Sequence, residues 1–395
     1  MRIEMPKYME RVGGLRIFGV QKVLELTGGK SEGPNIGLPG IINVSRGDLE
    51  DLESRMTIIV PVKNENPKVL EGVLSGIPHD VLVIVVSNSS RTPIDRYQIE
   101  VDTMLHFYRF SRRSFIMIHQ KDHAWGLALK EVGYTEILEG DTVRDGKGEG
   151  MVLGMILAKA LGKDYVGFVD SDNYIPGAVY EYAKIYASAF LSSRTPYAMV
   201  RIRWPYKTKF VGKGFYFRRR GRVSEITNKY INLLLGRLTR FETDIVKTGN
   251  SGDHAMTMKL AEVMQFMGGF GIEPYELIYL IEEFSGLKPT KYEDVISKGV
   301  EVFQVEPRNP HVHEERGTEH IKEMILKSLS IIYHSSLCNE ELKELILDEL
   351  ITRGILRPGE IPPKQNAIPP IGSINANKVL EILAEHAESF IATET

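Results

Sequence analysis

The chain has 395 residues, 43% of them hydrophobic and 26% charged, with a formal net charge of −3. This is a globular and not a disordered composition, long enough for two domains or one enlarged domain. The slightly acidic balance supplies no global field for nucleic acid, and the lone cysteine, Cys338, excludes an internal disulfide and a cysteine zinc cluster.

The first ten residues are polar and mixed in charge, without the apolar stretch of a signal peptide. With one cysteine, a reducing cytoplasm fits. Up to residue 55 the chain is Gly-rich and weakly periodic. Thr57-Ile-Ile-Val-Pro61 then reads as a buried strand, ending in the loop Pro61-Val62-Lys63-Asn64-Glu65, and a helix follows over Pro67–Gly76. Val81–Val86 reads as a second strand, too short to cross a bilayer, and ends in Ser87-Asn88-Ser89-Ser90. Ser114–His119 is a third, followed by Gln120-Lys121-Asp122-His123. Gly150–Leu161 has helical apolar spacing, and Tyr165–Val169 is a fourth strand. Tyr197–Trp204 alternates strictly and adds another. Beyond Gly249, helices are expected over Ala255–Met267, Tyr275–Phe284, Gly317–Tyr333, Glu340–Thr352 and Asn377–Phe390, with a proline-rich exposed linker at Gly359–Pro370.

Continuous apolar strands alternating with helices predict an α/β fold, a mostly parallel sheet covered on both faces, with a mainly helical C-terminal part. Ligands bind such sheets at the carboxyl ends of the strands. Lys63, Asn64, Glu65, the Ser87–Ser90 loop, Lys121, Asp122 and the pair Asp170 and Asp172 should therefore converge on one crevice.

That pair carries the most chemistry. Asp170-Ser-Asp172 follows an apolar strand, and residues i and i+2 of an extended segment share a face. Two carboxylates there are costly unless a cation neutralises them, and a divalent metal holding a diphosphate would do so. A solvated Asp-x-Asp loop is the plainer alternative. Arg144–Gly150 holds Lys147 in a glycine-rich approach to a helix, suited to a phosphate but matching neither a Walker loop nor a dinucleotide fingerprint. From Arg201 to Arg222, nine basic residues interleave with aromatics and no acid. The stripe reads as a nucleic-acid surface, as a pocket for a small anionic substrate, or as a solvated loop. Its shortness in an acidic chain favours the compact anion. Gly221-Arg222-Val223-Ser224 opens a helical run with Ser224 as N-cap, again an anion site. Thr248-Gly-Asn-Ser-Gly-Asp253 is a second glycine loop before an expected helix, where Asp253 caps that helix or faces a reacting hydroxyl. His311 and His313 stand two apart and share a face if extended, as a surface pair or as metal ligands. Hydrolase, zincin and kinase signatures do not occur.

Pro61-Val-Lys-Asn-Glu65, Lys147-Gly-x-Gly150, Asp170-Ser-Asp172, Gly221-Arg-Val-Ser224 and Pro310-His-x-His313 together resemble the mannosyl-3-phosphoglycerate synthase family over nearly the whole chain. The resemblance implies a GT-A, Rossmann-like fold and retaining transfer of mannose from GDP-mannose to 3-phosphoglycerate, in compatible-solute biosynthesis. It implies a nucleotide-sugar and acceptor-binding domain over 1–255, and a region 256–395 that completes the site and offers a possible homodimer surface. Pro61, Val62, Lys63, Glu65, Ser87, Asn88, Gln120, Lys121, Lys147 and Asp170 would border the donor. Gly221, Arg222, Val223, Ser224 and Thr248 would hold the acceptor. Asp172 with His313, or else His311, would bind a divalent metal: Mg²⁺ first, with Mn²⁺, Co²⁺ or Zn²⁺ as alternatives. Retention by double displacement needs a carboxylate nucleophile, for which Asp253 is the candidate; a same-face route needs none. The rival activities are nucleotidyl transfer and glucosyl-3-phosphoglycerate synthesis; nucleic-acid binding and membrane association are not expected.

Overall fold

Uninterrupted apolar sequence builds one half of the central sheet. In a computed structural model, which describes residues 1–26, 40–211, 214–219, 222–312 and 317–393, strands Phe115–His119, Leu82–Ser87, Met56–Val62 and Tyr165–Phe168 lie side by side and parallel. Side chains alternate between two cores. Ile58, Val60, Val83 and Val85 pack with helices Pro67–Gly76 and Pro176–Ser192, whereas Ile59, Ile84 and Val86 pack with helix Lys147–Ala160. Burial on both faces is why these strands read as unbroken hydrophobic runs. Gly154 brings the last helix close: a Cβ there would lie 2.6 Å from Ile59 Cγ2.

The other half departs from the parallel pattern. Strand His254–Thr257 runs antiparallel between Tyr165–Phe168 and Ala198–Ile202, with His254 opposite both Phe168 and Arg201. Ala198–Ile202 is parallel to Val300–Glu306, which pairs in turn with Leu15–Phe18 and Gln21–Glu25. The weakly periodic N-terminal region is thus part of the sheet, and strands from both sides of residue 255 interleave. The helix expected over Ala255–Met267 is replaced by this strand, a short helix Met258–Ala261 and strand Phe266–Met267, which pairs with Ala367–Ile368. The helix-forming residue types are overruled by a fully buried slot, a tertiary override of propensity. Pairing of Ala367–Ile368 also ties down part of the expected Gly359–Pro370 linker.

Helices Ile272–Phe284, Thr318–Tyr333, Glu340–Thr352 and Ala376–His386 dominate the C-terminal part, as expected. Ala376–His386 packs on His123–Glu131 and Lys147–Ala160. Beyond it, Ile391–Ala392 adds an antiparallel strand to the sheet edge at Phe115–His119. Asp122 Oδ2 accepts from the Ser389 N–H at 2.8 Å, the His119 N–H donates to the Ser389 hydroxyl at 3.1 Å, and the Tyr97 hydroxyl donates to the Ser389 carbonyl.

Candidate active site

The loops leaving the parallel strands border a cavity of about 650 Å³. Pro61, Val62, Lys63 and Glu65 line it from the first loop, Asn88 and Gln120 from the next two, and Asp170, Ser171 and Asp172 from the fourth. Facing them are Trp204, Arg218, Arg222, Val223, Ser224, Thr248, Asn250, Ser251, Gly252 and His311. Gly221 and His313 lie outside the described residues. Asn64 borders a smaller adjoining pocket with Glu65 and Asp172, and Asp122 is turned instead to the Ser389 seam.

Three residues expected to touch donor or sugar do not line this cavity. Ser87 is fully buried, and its hydroxyl donates to Glu100 Oε2 at 2.6 Å, beside the Ser89 hydroxyl on Oε1 at 2.5 Å. It braces its loop and is not placed to touch a ligand. Lys121 Nζ donates to the Val143 carbonyl at 2.5 Å and pairs with Asp145 at 3.2 Å. Asp145 lines the cavity in its stead.

Asp253 is the third. It precedes a strand, so it caps no helix, and it is 0% exposed. Its Oδ1 accepts from the Asp170 N–H at 2.9 Å, while Oδ2 has no hydrogen-bond partner among the described residues and lies 3.9 Å from His311 Nδ1. Burial first, and then the neighbouring Asp170 charge, push its pKa well above the ordinary carboxylate value. A carboxyl closed off from the cavity is poorly placed to attack an anomeric carbon, which counts against the nucleophile expectation.

Lys147 stands in the first turn of its helix, so the glycine-rich segment divides there: residues 144–146 lead in, with Gly146 as N-cap, and residues 147–150 are already helix. Its Nζ lies 2.6 Å from Asp170 Oδ1 and 2.7 Å from Glu273 Oε1. Burial works against its charge, but the two carboxylates raise its pKa above that of an ordinary lysine. Asp170 and Glu273 therefore share the single positive charge of Lys147, and Asp172 stands two residues beyond Asp170 along the same wall.

On the acceptor side, helix Val223–Thr239 opens onto the cavity with Arg222, not Ser224, as N-cap; Ser224 sits in the first turn. The first-turn amides and the positive end of the helix dipole favour an anion there. The Arg222 guanidinium donates to the carbonyls of Arg219, at 3.1 Å, and Trp204. Burial lowers its pKa below that of an ordinary arginine, with Glu225 opposing. The basic stripe is broken up: Arg203 pairs with Glu306, and Arg201 is 0% exposed. Arg201 Nη1 binds Glu276 Oε2 at 2.7 Å, and Nη2 donates to the carbonyls of Thr248, at 3.0 Å, and Glu273, at 2.8 Å. His254 Nε2 lies 3.0 Å from the other Glu276 oxygen. This buried group fixes the Thr248–Gly252 loop and the helix that carries Glu273.

Sequence reasoning missed one wall. Helix Thr318–Tyr333 contributes His320, Met324 and Lys327, which recur at i, i+4 and i+7 and so share a face. That spacing was the available signal. Glu273 gave none, because its role arises only from the fold.

The site suits a divalent cation. Asp172 and His311 offer oxygen and nitrogen donors on the cavity wall, and the orphaned Asp253 Oδ2 beside His311 marks an under-coordinated polar spot. Among the described residues no three His, Cys, Asp or Glu groups converge as a ready-made metal cluster. An ion completed by ligand phosphates fits that arrangement.

A family model described as mannosyl-3-phosphoglycerate synthase matches residues 5–383. A mannosyl-3-phosphoglycerate synthase of Pyrococcus furiosus is 47% identical over 393 residues, covering 99% of this chain and 99% of the relative. Its counterpart from Aeropyrum pernix is 43% identical over 392 residues, again 99% of each. A crystal structure of glucosyl-3-phosphoglycerate synthase from Mycobacterium tuberculosis, in complex with Mn²⁺, UDP-glucose and glycerol 3-phosphate, is similar at a TM-score of 0.49 and 20% identity, covering 84% of this chain and 95% of that one.

Proposed function

This chain belongs to the mannosyl-3-phosphoglycerate synthase family, and from that premise we propose that it transfers mannose from GDP-mannose to 3-phosphoglycerate with retention, releasing GDP. The observation that carries the proposal is one cavity bordered by both a sheet rim with Asp172 and a helix N-terminus with Arg222. A diphosphate donor and a multiply anionic acceptor could meet there.

Pro61–Glu65, Asn88 and Gln120 would seat the nucleoside. Lys147 holds Asp170 in place for the ribose or sugar, at 2.6 Å. The first-turn amides of Val223 and Ser224, with Arg222, would grip the phosphate and carboxylate of the acceptor, and so orient its hydroxyl. Asp172 with the His311–His313 segment would hold the ion, Mg²⁺ before Mn²⁺. When bound, that ion supplies a Lewis acid and a template for the departing diphosphate. The burial of Asp253 supports the same-face route, in which the leaving group accepts the acceptor's proton. Among the described residues no helix is long and apolar enough to cross a membrane; cytoplasmic compatible-solute biosynthesis by a homodimer completes the reading.

The test is a panel of nucleotide sugars incubated with 3-phosphoglycerate and a divalent metal, read by mass. GDP-mannose should give a mannosyl adduct. An adduct only from UDP-glucose would replace the donor assignment, and pyrophosphate released from GTP and mannose-1-phosphate would point instead to nucleotidyl transfer.

A further inference from the structure

Trp204 touches both halves of this site. Its ring stacks on the His311 imidazole, with centroids 4.3 Å apart and planes at 25°. Its indole N–H donates to the Tyr182 hydroxyl at 3.0 Å, and Tyr182 is itself fully buried. The same hydroxyl lies 3.5 Å from the Asn173 amide, next to Asp172. The Trp204 carbonyl accepts from the Arg222 guanidinium. The histidine segment is fixed from two further sides. The Val312 carbonyl accepts from the Tyr174 N–H at 3.0 Å, and Val312 forms a β-bridge with Thr208, on the chain leaving Trp204.

We propose that Trp204 is a positioning residue that couples acceptor binding to the metal site. Its ring sets the plane of His311, its indole N–H locks that ring to the Asp172 loop through Tyr182, and its backbone holds the arginine that meets the acceptor. The stack and the hydrogen bond together fix the indole in one rotamer. Acceptor binding, by fixing Arg222, therefore tightens the histidine, and by linkage the metal tightens the acceptor by the same factor. This rests on the proposed metal site, so the experiment tests the two separately.

Mn²⁺ affinity is measured by electron paramagnetic resonance in the presence of GDP, with and without 3-phosphoglycerate, for the wild type, Asp172→Ala, Trp204→Leu, Trp204→Phe and Tyr182→Phe. In the wild type, 3-phosphoglycerate should tighten Mn²⁺ at least about fivefold. Trp204→Leu should weaken Mn²⁺ about tenfold to a hundredfold and bring the coupling factor toward one. Trp204→Phe, which keeps a ring but loses the N–H, and Tyr182→Phe should each weaken it about threefold. If Asp172→Ala abolishes Mn²⁺ binding while Trp204→Leu leaves affinity and coupling intact, the coupling role is overturned and the metal site stands. If Asp172→Ala leaves Mn²⁺ binding unchanged, the metal site falls and the inference with it. Should Trp204→Leu fail to fold, unchanged affinity in both phenylalanine variants overturns the proposal.

Discussion

Arg201→Met tests the buried scaffold behind the Thr248–Gly252 loop. The guanidinium is 0% exposed, paired with Glu276 at 2.7 Å, and donates to the Thr248 and Glu273 carbonyls. Methionine fills much of the volume but leaves Glu276 buried with His254 as its remaining partner. Breaking one side of a buried pair costs about 3–5 kcal/mol, and each orphaned carbonyl adds about 1–3 kcal/mol where water cannot enter. We expect a loss of about 5 kcal/mol. With roughly 2 cal/mol/K of unfolding entropy per residue, that lowers Tm by about 6 °C in a chain of 395 residues. Urea unfolding and thermal melts give the two values. Arg201→Met/Glu276→Met, which removes the stranded charge, should recover about 2 kcal/mol relative to Arg201→Met alone. A single-variant loss below about 1 kcal/mol, or a double variant no more stable than the single, refutes the assignment of Arg201 and Glu276 as an interdependent scaffold.

Gly252→Ala would put a Cβ 2.3 Å from Asp170 Oδ2, a carboxylate that Lys147 pins at 2.6 Å. It should lower kcat about a hundredfold in steady-state assays while circular dichroism stays native. Arg222→Ala should raise the KM for 3-phosphoglycerate about tenfold to a hundredfold and that for the donor far less; equal effects would remove its acceptor role. Glu100 gives a pH signature. Burial raises its pKa above 4.5 despite the Ser87 and Ser89 hydroxyl bonds, so the folded state keeps a proton that the unfolded state gives up. Its contribution is fully present below 4.5 and declines as pH rises through the folded value. Glu100→Gln should lose that decline in urea midpoints measured across a pH series; an unchanged slope would assign it to another group.

The parallel half of the sheet was legible because burial on both faces leaves unbroken runs such as Val81–Val86. Helix Pro67–Gly76 was legible about where it lies, and the structure adds Asn66 as its N-cap, with proline at its start. His254–Thr257 was not: Ala255, Met256, Met258 and Leu260 have helical preferences, and only the slot between two distant strands makes part of that segment extended. The convergence of Lys63, Glu65 and Asp172 followed from topology, since each follows a parallel strand closely or ends one. Ser87 and Asp253 misled for a common reason. Residue type and loop position suggested function, but whether a polar side chain faces the cavity or braces its wall depends on partners such as Glu100 and the Asp170 amide.

The seam at Ser389 bears on how a nascent copy matures. Asp122 and Ser389 meet across 267 positions of sequence. While the ribosome makes the intervening residues, strand Phe115–His119 presents an open row of amides and carbonyls, the kind of edge that recruits other chains. Contacts so distant in sequence close late and slowly. Holding newly made chains apart until that seam zips shut should therefore govern yield in a crowded cell more than the final stability of the fold does.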